Sequence, residues 1–283
     1  MRTRILALVS ALAVAACGGA VVTSSTPTAT TSPTTSQPVV QEEASCLDGA
    51  GGFFGDGPLG SQAEDSVDAA TVTGLTLTEH DECERLIVDL AAASGAPATS
   101  LGTTRAELLR RFGVVRIHLD EAVAATTLTD IVFDGRFTDR VYVVRDSDGS
   151  LFIDVHLAEA SVARFSQLSN PVRLAIDIAP GGAQIQSPEV SDFVVVMPIQ
   201  LGPDTTIEGY GRTFEANVIV RARQGGEIVA EDFTTSADYL ETWGSFEMPM
   251  PSGITGGFEL FIGEDSARDG EEQGVRMTIS LDS

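Results

Sequence analysis

Two short stretches place a guanidinium and a carboxylate at the same spacing: Arg85-Leu86-Ile87-Val88-Asp89-Leu90 and Arg173-Leu174-Ala175-Ile176-Asp177-Ile178. An arginine can grip a carboxylate in bidentate fashion, and an aspartate accepts N–H and O–H donors. In each stretch three aliphatics alternate with the charged pair, so on a strand the arginine and aspartate share the face opposite the core. Four residues along a strand span about 13 Å, too far for the two to meet within it. They must meet other strands, solvent or a ligand. Two readings follow: a cross-strand ion pair on a solvated face, or a binding face whose contacts are Arg85, Asp89, Arg173 and Asp177.

Catalytic chemistry has no comparable mark. The histidines are His80, His118 and His156, and no Gly-x-Ser-x-Gly, Ser-x-x-Lys or His-Glu-x-x-His pattern occurs. A triad assembled from distant residues would leave no local pattern, and no residue is assigned a catalytic role. Glu79-His80-Asp81-Glu82-Cys83-Glu84 contains metal-ligand residue types. Neighbours on a strand point to alternate faces, however, and a solvated turn entering a strand accounts for the run better. Asp146-x-Asp148-Gly149 begins like a calcium loop but lacks the third acidic ligand and the distal glutamate, so a hairpin turn is expected. Glu264, Asp265 and Asp269 share a loop in which a hard cation could bind, with Arg268 partly neutralising them. No metal and no other cofactor is assigned.

The three cysteines divide by position. Arg2 and Arg4 precede an apolar run, Ile5 to Ala16, that is far shorter than the ~20 residues a helix needs to cross the hydrocarbon core. Residues 1–16 read as a secretory signal. The run ends in Val14-Ala15-Ala16-Cys17, which resembles the bacterial lipobox. The resemblance implies cleavage before Cys17 and acylation of that residue, and at ~0.8 kcal/mol per buried methylene two or three acyl chains anchor durably. An ordinary secretory signal with a coincidental cysteine is the alternative. Cys46 and Cys83 remain, and in an exported chain such a pair reads as a disulfide more readily than as a metal site. Two buried thiols are the other reading. A bridge would close a loop of roughly 38 residues, worth a few kcal/mol in the chain-entropy model.

Residues 17–45 hold the lipidated cysteine and a Thr-, Ser- and Pro-rich stretch too poor in large apolar residues to offset its ordering entropy. Fully extended, such a stalk reaches on the order of 80–90 Å at ~3.3 Å per residue. The chain carries 41 acidic and 17 basic residues, a net charge of −24, and every basic residue is arginine. Loss of Arg2 and Arg4 makes the mature chain more negative still. Such a surface repels nucleic acid, which is excluded as a partner.

The elements that must position these groups are strands. Glu84–Leu90 alternates, and Val141–Leu157 reads as a hairpin turning at Asp146-Ser147-Asp148-Gly149. In its second arm Leu151, Ile153, Val155 and Leu157 point inward while Phe152, Asp154 and His156 face the other way. Only Arg105–Phe112 has helical spacing, with Leu108, Leu109 and Phe112 on one side. After Pro180-Gly181-Gly182, alternation returns at Phe214, Ala216, Val218, Val220 and Ala222, and again at Val275, Met277, Ile279 and Leu281. Trp243 reads as a core or rim residue, a sugar-stacking surface tryptophan being the other reading.

Asn170-Pro171-Val172-Arg173-Leu174-Ala175-Ile176-Asp177-Ile178 resembles the closing strand of the AMIN family, the β module of wall amidases and secretins. Val72–Pro180, with Glu79-His80, Glu84-Arg85-Leu86 and Phe133-x-Gly135-x-Phe137, is similar to the AMIN-like domain of actinobacterial lipoproteins. Further on, Val196-Met197-Pro198, Glu208-Gly209-x-Gly211-x-x-Phe214-Glu215-Ala216, Trp243-Gly244-x-Phe246 and the loop Glu264–Gly270 resemble the immunoglobulin-like domain of bacterial spore germination proteins.

The expected fold is mainly β: an AMIN-like β module at 46–180, then an immunoglobulin-like β-sandwich at 190–283. The expected role is that of a non-catalytic lipoprotein on the extracytoplasmic face of the membrane. Its partners would be the membrane through the lipid, and peptidoglycan or envelope proteins. An accessory to a peptidoglycan-remodelling enzyme and a calcium-dependent adhesion module are the alternatives.

Overall fold

Period-two alternation dominates the sequence, and strands dominate the computed structural model, which describes residues 46–47, 51–202 and 204–281. Cys17, the expected signal segment and the expected stalk lie outside the described residues. In chain order the strands are β1 Gly57–Gln62, β2 Ala69–His80, β3 Cys83–Ala92, β4 Thr104–Leu109, β5 Val114–His118, β6 Ala125–Thr126, β7 Asp130–Val132, β8 Thr138–Arg145, β9 Leu151–Leu157 and β10 Ser161–Leu168. They continue as β11 Arg173–Pro180, β12 Glu189–Val190, β13 Val194–Val196, β14 Thr206–Gly211, β15 Asn217–Gln224, β16 Glu227–Thr235, β17 Trp243–Pro249, β18 Gly256–Asp265 and β19 Glu272–Leu281.

Three sheets result. The largest runs β1-β4-β5-β9-β8-β17-β14-β13-β12, with β7 on β8; the others run β10-β11-β3-β2-β6 and β16-β15-β18-β19. Each smaller sheet covers one half of the large one, which gives two sandwiches. The first core joins Leu86, Val88 and Ile176 to Ile117, Val143 and Ile153. The second joins Val194, Ile207 and Phe246 to Val220, Leu260 and Ile262. The two expected modules therefore share a sheet, within one compact unit, Ala44–Ser283. The seam is short: β17 runs parallel to β8 with Trp243 opposite Val144 and Gly244 opposite Arg145.

A third core explains what the alternation left open. The hairpin runs as its pattern predicts, Ile153 and Val155 entering the first core. Its opposite face is no surface, because Tyr142, Val144 and Phe152 pack on Val195, Met197, Tyr210 and Trp243 of the second sandwich. Every residue of β9 is buried. Inter-domain joints are mobile by default unless the interface is large and apolar, and this one is aromatic and continued by hydrogen-bonded strands.

Two local expectations are corrected. Arg105–Phe112 is not a helix: Thr104–Leu109 is a strand between β1 and β5, and only Arg110–Phe112 coils, as a single 3-10 turn. Ala106 and Leu108 enter the first core while Leu109 packs against the third, so helical spacing here reflects burial on two sides of a strand. A segment this short has little helical stability of its own to oppose the sheet. Phe214 does not continue the alternation of β15; it begins a 3-10 turn, Phe214–Ala216, and stands 62% exposed.

Candidate functional site

The twin Arg–Asp stretches are β3 and β11, and they pair with each other. Their antiparallel register sets Asp177 opposite Arg85 and Arg173 opposite Asp89. Arg85 donates to both carboxylate oxygens of Asp177, at 2.6 Å from Nε and 3.1 Å from Nη2. Arg164 of β10 donates to the same carboxylate at 2.6 Å and to the Cys46 carbonyl, and its guanidinium lies 4.8 Å from the Phe53 ring centroid. Asp177 is 1% exposed, so this ion pair is buried beneath the segment that enters the fold, not set on a solvated face. Arg173 and Asp89 are half-buried; Asp89 lies against Gly74, where a Cβ would come within 2.7 Å of its carboxylate. Arg173 Nε is buried with no hydrogen-bond partner among the described residues.

Cys46 and Cys83 form a disulfide across 6.2 Å between Cα atoms, in a small buried cluster with Ala179. It ties the entering segment to the turn between β2 and β3, where Asp81 and Glu82 are exposed. Glu84 of the same run is buried, and its carboxylate accepts the Phe137 N–H at 3.0 Å. Two of the quoted sequence motifs, Glu84-Arg85-Leu86 and Phe133-x-Gly135-x-Phe137, thus meet through one hydrogen bond.

The acidic loop does not converge. Glu264 accepts the Phe214 N–H, Asp265 is held in bidentate fashion by Arg221 at 2.6 Å, and Asp269 pairs with Arg268 at 3.0 Å. Among the described residues no three His, Cys, Asp or Glu side chains gather as metal ligands. The Asp146–Gly149 stretch is a hairpin turn: Gly149 donates to the Asp146 carbonyl at 2.9 Å, and Ser150 N–H to the Asp148 carboxylate at 2.9 Å.

His118 sits 3.2 Å from Glu107, and burial lowers its pKa. His156 is buried in the joint, where desolvation lowers its pKa to about 4, and its Nε2 is hydrogen-bonded to the Tyr210 hydroxyl. Burial raises the pKa of Tyr210 well above the usual range for a phenol. Trp243 is buried in the same cluster and donates from Nε1 to Asp130 at 3.1 Å, so it is a joint residue and offers no face to a sugar. Tyr210 is the residue that sequence reasoning passed over. Its signal was the pair of glycines around it: a Cβ on Gly209 would fall 2.1 Å from the Val195 carbonyl, and one on Gly211 3.1 Å from Val218. The glycines let the inner face close and leave Tyr210 pointing into the joint.

Where the two sandwiches diverge beyond the aromatic cluster, a cleft of about 560 Å³ opens. Arg116 and Phe152 of the first sandwich form one wall, and Glu208, Ser245 and Glu247 of the second form the other. Arg116 is taken up by Asp154, at 2.8 and 2.7 Å, and lies 4.2 Å from the centre of the Phe152 ring. At the mouth Arg145 binds Asp238 at 2.9 Å and Glu241 at 3.0 Å. Ser245 donates to Asp146 at 2.9 Å. Both arginines are thereby neutralised. Glu208 and Glu247 stand directly opposite each other on β14 and β17, with no salt-bridge partner among the described residues. Like charges in that register destabilise a sheet. What the arrangement offers is hydrogen-bond acceptance toward amines, amides and hydroxyls, with Ser147, Thr234 and Thr235 adding hydroxyls. No histidine lines it.

Residues 183–271 match the Gmad2 family, the immunoglobulin-like domain of bacterial spore germination. The match spans about a third of the chain and takes in β12 to β18. Strand β19, Glu272–Leu281, lies beyond it, yet pairs with β18 from end to end and completes the smaller sheet of the second sandwich. Tyr210, Trp243 and both cleft glutamates lie within the matched residues. No curated protein and no solved structure matches the chain.

Proposed function

We propose that this chain is a non-catalytic lipoprotein of the cell envelope, anchored through Cys17, whose AMIN-like module and spore-germination-type domain act as one rigid body to hold cell wall polymer in the cleft between them. The carrying observation is the facing pair Glu208 and Glu247, unpaired by any cation among the described residues, in a cleft walled by both sandwiches. Peptidoglycan is rich in hydroxyls, amides and amines, the donors such a pair accepts. Ser245 in the cleft is bonded to Asp146, with no histidine to activate it, which supports binding over hydrolysis.

The test is retention of the full chain, solubilised in detergent, on purified cell wall. The parent should be retained, and the double variant Glu208→Gln and Glu247→Gln should be retained less, since neutral amides accept weaker hydrogen bonds. Equal retention of the two would remove the cleft as the site. Absence of retention by the parent would remove the wall as the ligand.

A further inference from the structure

Strand β16 is an edge strand, paired with β15 on one side only. It is nine residues long and contains neither proline nor lysine, two of the usual blocks to edge pairing. Ile228, Val229 and Phe233 are 50%, 47% and 69% exposed, an unusual concentration for one strand. The direction of its backbone groups can be read. Ser236 N–H donates to the Ala216 carbonyl at 2.9 Å, so residue 236 faces β15. By the alternation of an antiparallel ladder, Phe233 and Glu231 then direct their N–H and C=O groups outward. Consistent with this, the Phe233 N–H is capped by the neighbouring Asp232 carboxylate at 2.9 Å. Beyond Phe233 the strand turns toward β17, where Ala237 N–H reaches the Ser245 carbonyl at 2.9 Å. The open edge is therefore Glu227–Phe233.

We propose that this edge takes up an extended segment of a partner protein as a fifth strand, and that the segment alternates arginine or lysine with apolar residues. Main-chain hydrogen bonds supply affinity in strand addition, and alternate side chains supply specificity. The apolar positions meet Ile228, Phe233 and the neighbouring Ile219 on one face, where Glu231 is already held by Arg221, and the cations meet Glu227 and Asp232 on the other. Charge selects this occupant over the alternatives. A second copy would bring the same three carboxylates and a net charge of −24 against itself. The chain's own residues 18–45 carry no basic residue and are broken by Pro27, Pro33 and Pro38. The inference is independent of the cleft.

The experiment uses the full chain in detergent and a labelled peptide of four Arg-Val repeats. A peptide of the same charge with proline at every second position is the control. Amide exchange at Glu231 and Phe233 should slow on adding the alternating peptide and stay unchanged with the control. Phe233→Pro removes an outward N–H without removing a ladder bond, so it should keep the parent's melting curve and lower affinity about tenfold or more. Glu227→Lys with Asp232→Lys should shift preference to a Glu-Val peptide. Equal binding of the proline control, or unslowed exchange at Glu231 and Phe233, overturns strand addition; the exchange readout decides even if the proline variant fails to fold. Concentration-dependent dimerisation that protects the same amides overturns the choice of partner.

Discussion

His156 of the first sandwich and Tyr210 of the second meet across the joint, ring nitrogen to hydroxyl, inside an aromatic cluster with Tyr142 and Trp243. Tyr142 lies 5.0 Å from Tyr210 and 5.1 Å from Trp243 between ring centres, distances at which tilted and edge-on pairs attract. This hydrogen bond and these aromatic side chains, with the β8–β17 pairing and the bonds of Trp243, Arg145 and Ser245, hold together what sequence similarity divides.

Acid should loosen this joint. The folded-state pKa of His156 is lowered to about 4, against about 6.5 in the unfolded chain. Below pH ~6.5 the unfolded state binds a proton that the folded state refuses, so stability falls as pH drops toward 4 and levels off beneath it. The loss amounts to about 3 kcal/mol at most, at 1.36 kcal/mol per pKa unit. Urea denaturation between pH 7 and 4 should show the decline, and His156→Phe should flatten its slope. An unchanged slope in that variant would place the acid sensitivity elsewhere.

The paired arginines should separate in their effects. Arg85→Gln leaves the buried Asp177 with Arg164 alone, so it should destabilise by less than the about 3–5 kcal/mol of a buried pair left wholly uncompensated, yet measurably. Arg173→Gln, at a half-buried position with no ion pair among the described residues, should change stability by roughly 0.5 kcal/mol or less. If the twin strands also contact the wall, Arg173→Gln weakens wall retention at parental stability. Thermal melts and wall pull-downs on the same samples distinguish the two roles.

Gly209→Ala should disrupt the second sandwich. Its Cβ would lie 2.1 Å from the Val195 carbonyl and 2.8 Å from the Phe246 ring, and the first of these is backbone that cannot swing aside. Overpacking costs about 1–3 kcal/mol and sometimes more. Loss of Trp243 fluorescence change on unfolding, or a lowered melting midpoint, would report it; a parental midpoint would show that β13 can shift.

Reduction of Cys46–Cys83 should lower the melting midpoint, since a disulfide typically contributes about 2–4 kcal/mol. The bridge also holds the Cys46 carbonyl over Arg164. Exchange protection should therefore fall first along β10 and β11. Uniform loss of protection would mean that the bridge acts only through the unfolded chain.

Membrane attachment should depend on Cys17. Cys17→Ser should appear in the aqueous phase on detergent partitioning, or accumulate as an unprocessed precursor. Unchanged partitioning of that variant would sink the lipid anchor.

The sequence by itself determined the class of fold and much of its local detail. Period-two runs at Glu84–Leu90 and Val141–Leu157 specified strands, because a pleated chain sends successive side chains to opposite faces. Motifs around Gly209, Trp243 and Glu264 marked the immunoglobulin-like domain. Alternation states that a face is apolar without stating what will cover it. That Phe152 and His156 face a second sandwich, that Arg85 of β3 pairs with Asp177 of β11, and that Arg105–Leu109 is a strand were decided by tertiary contacts. So was the cleft, since Arg116 and Glu208 lie 92 residues apart in the chain and meet only where two sheets diverge. Local spacing carries the geometry of a single strand; register between strands and packing between sheets are long-range choices, settled by burial summed over the whole fold.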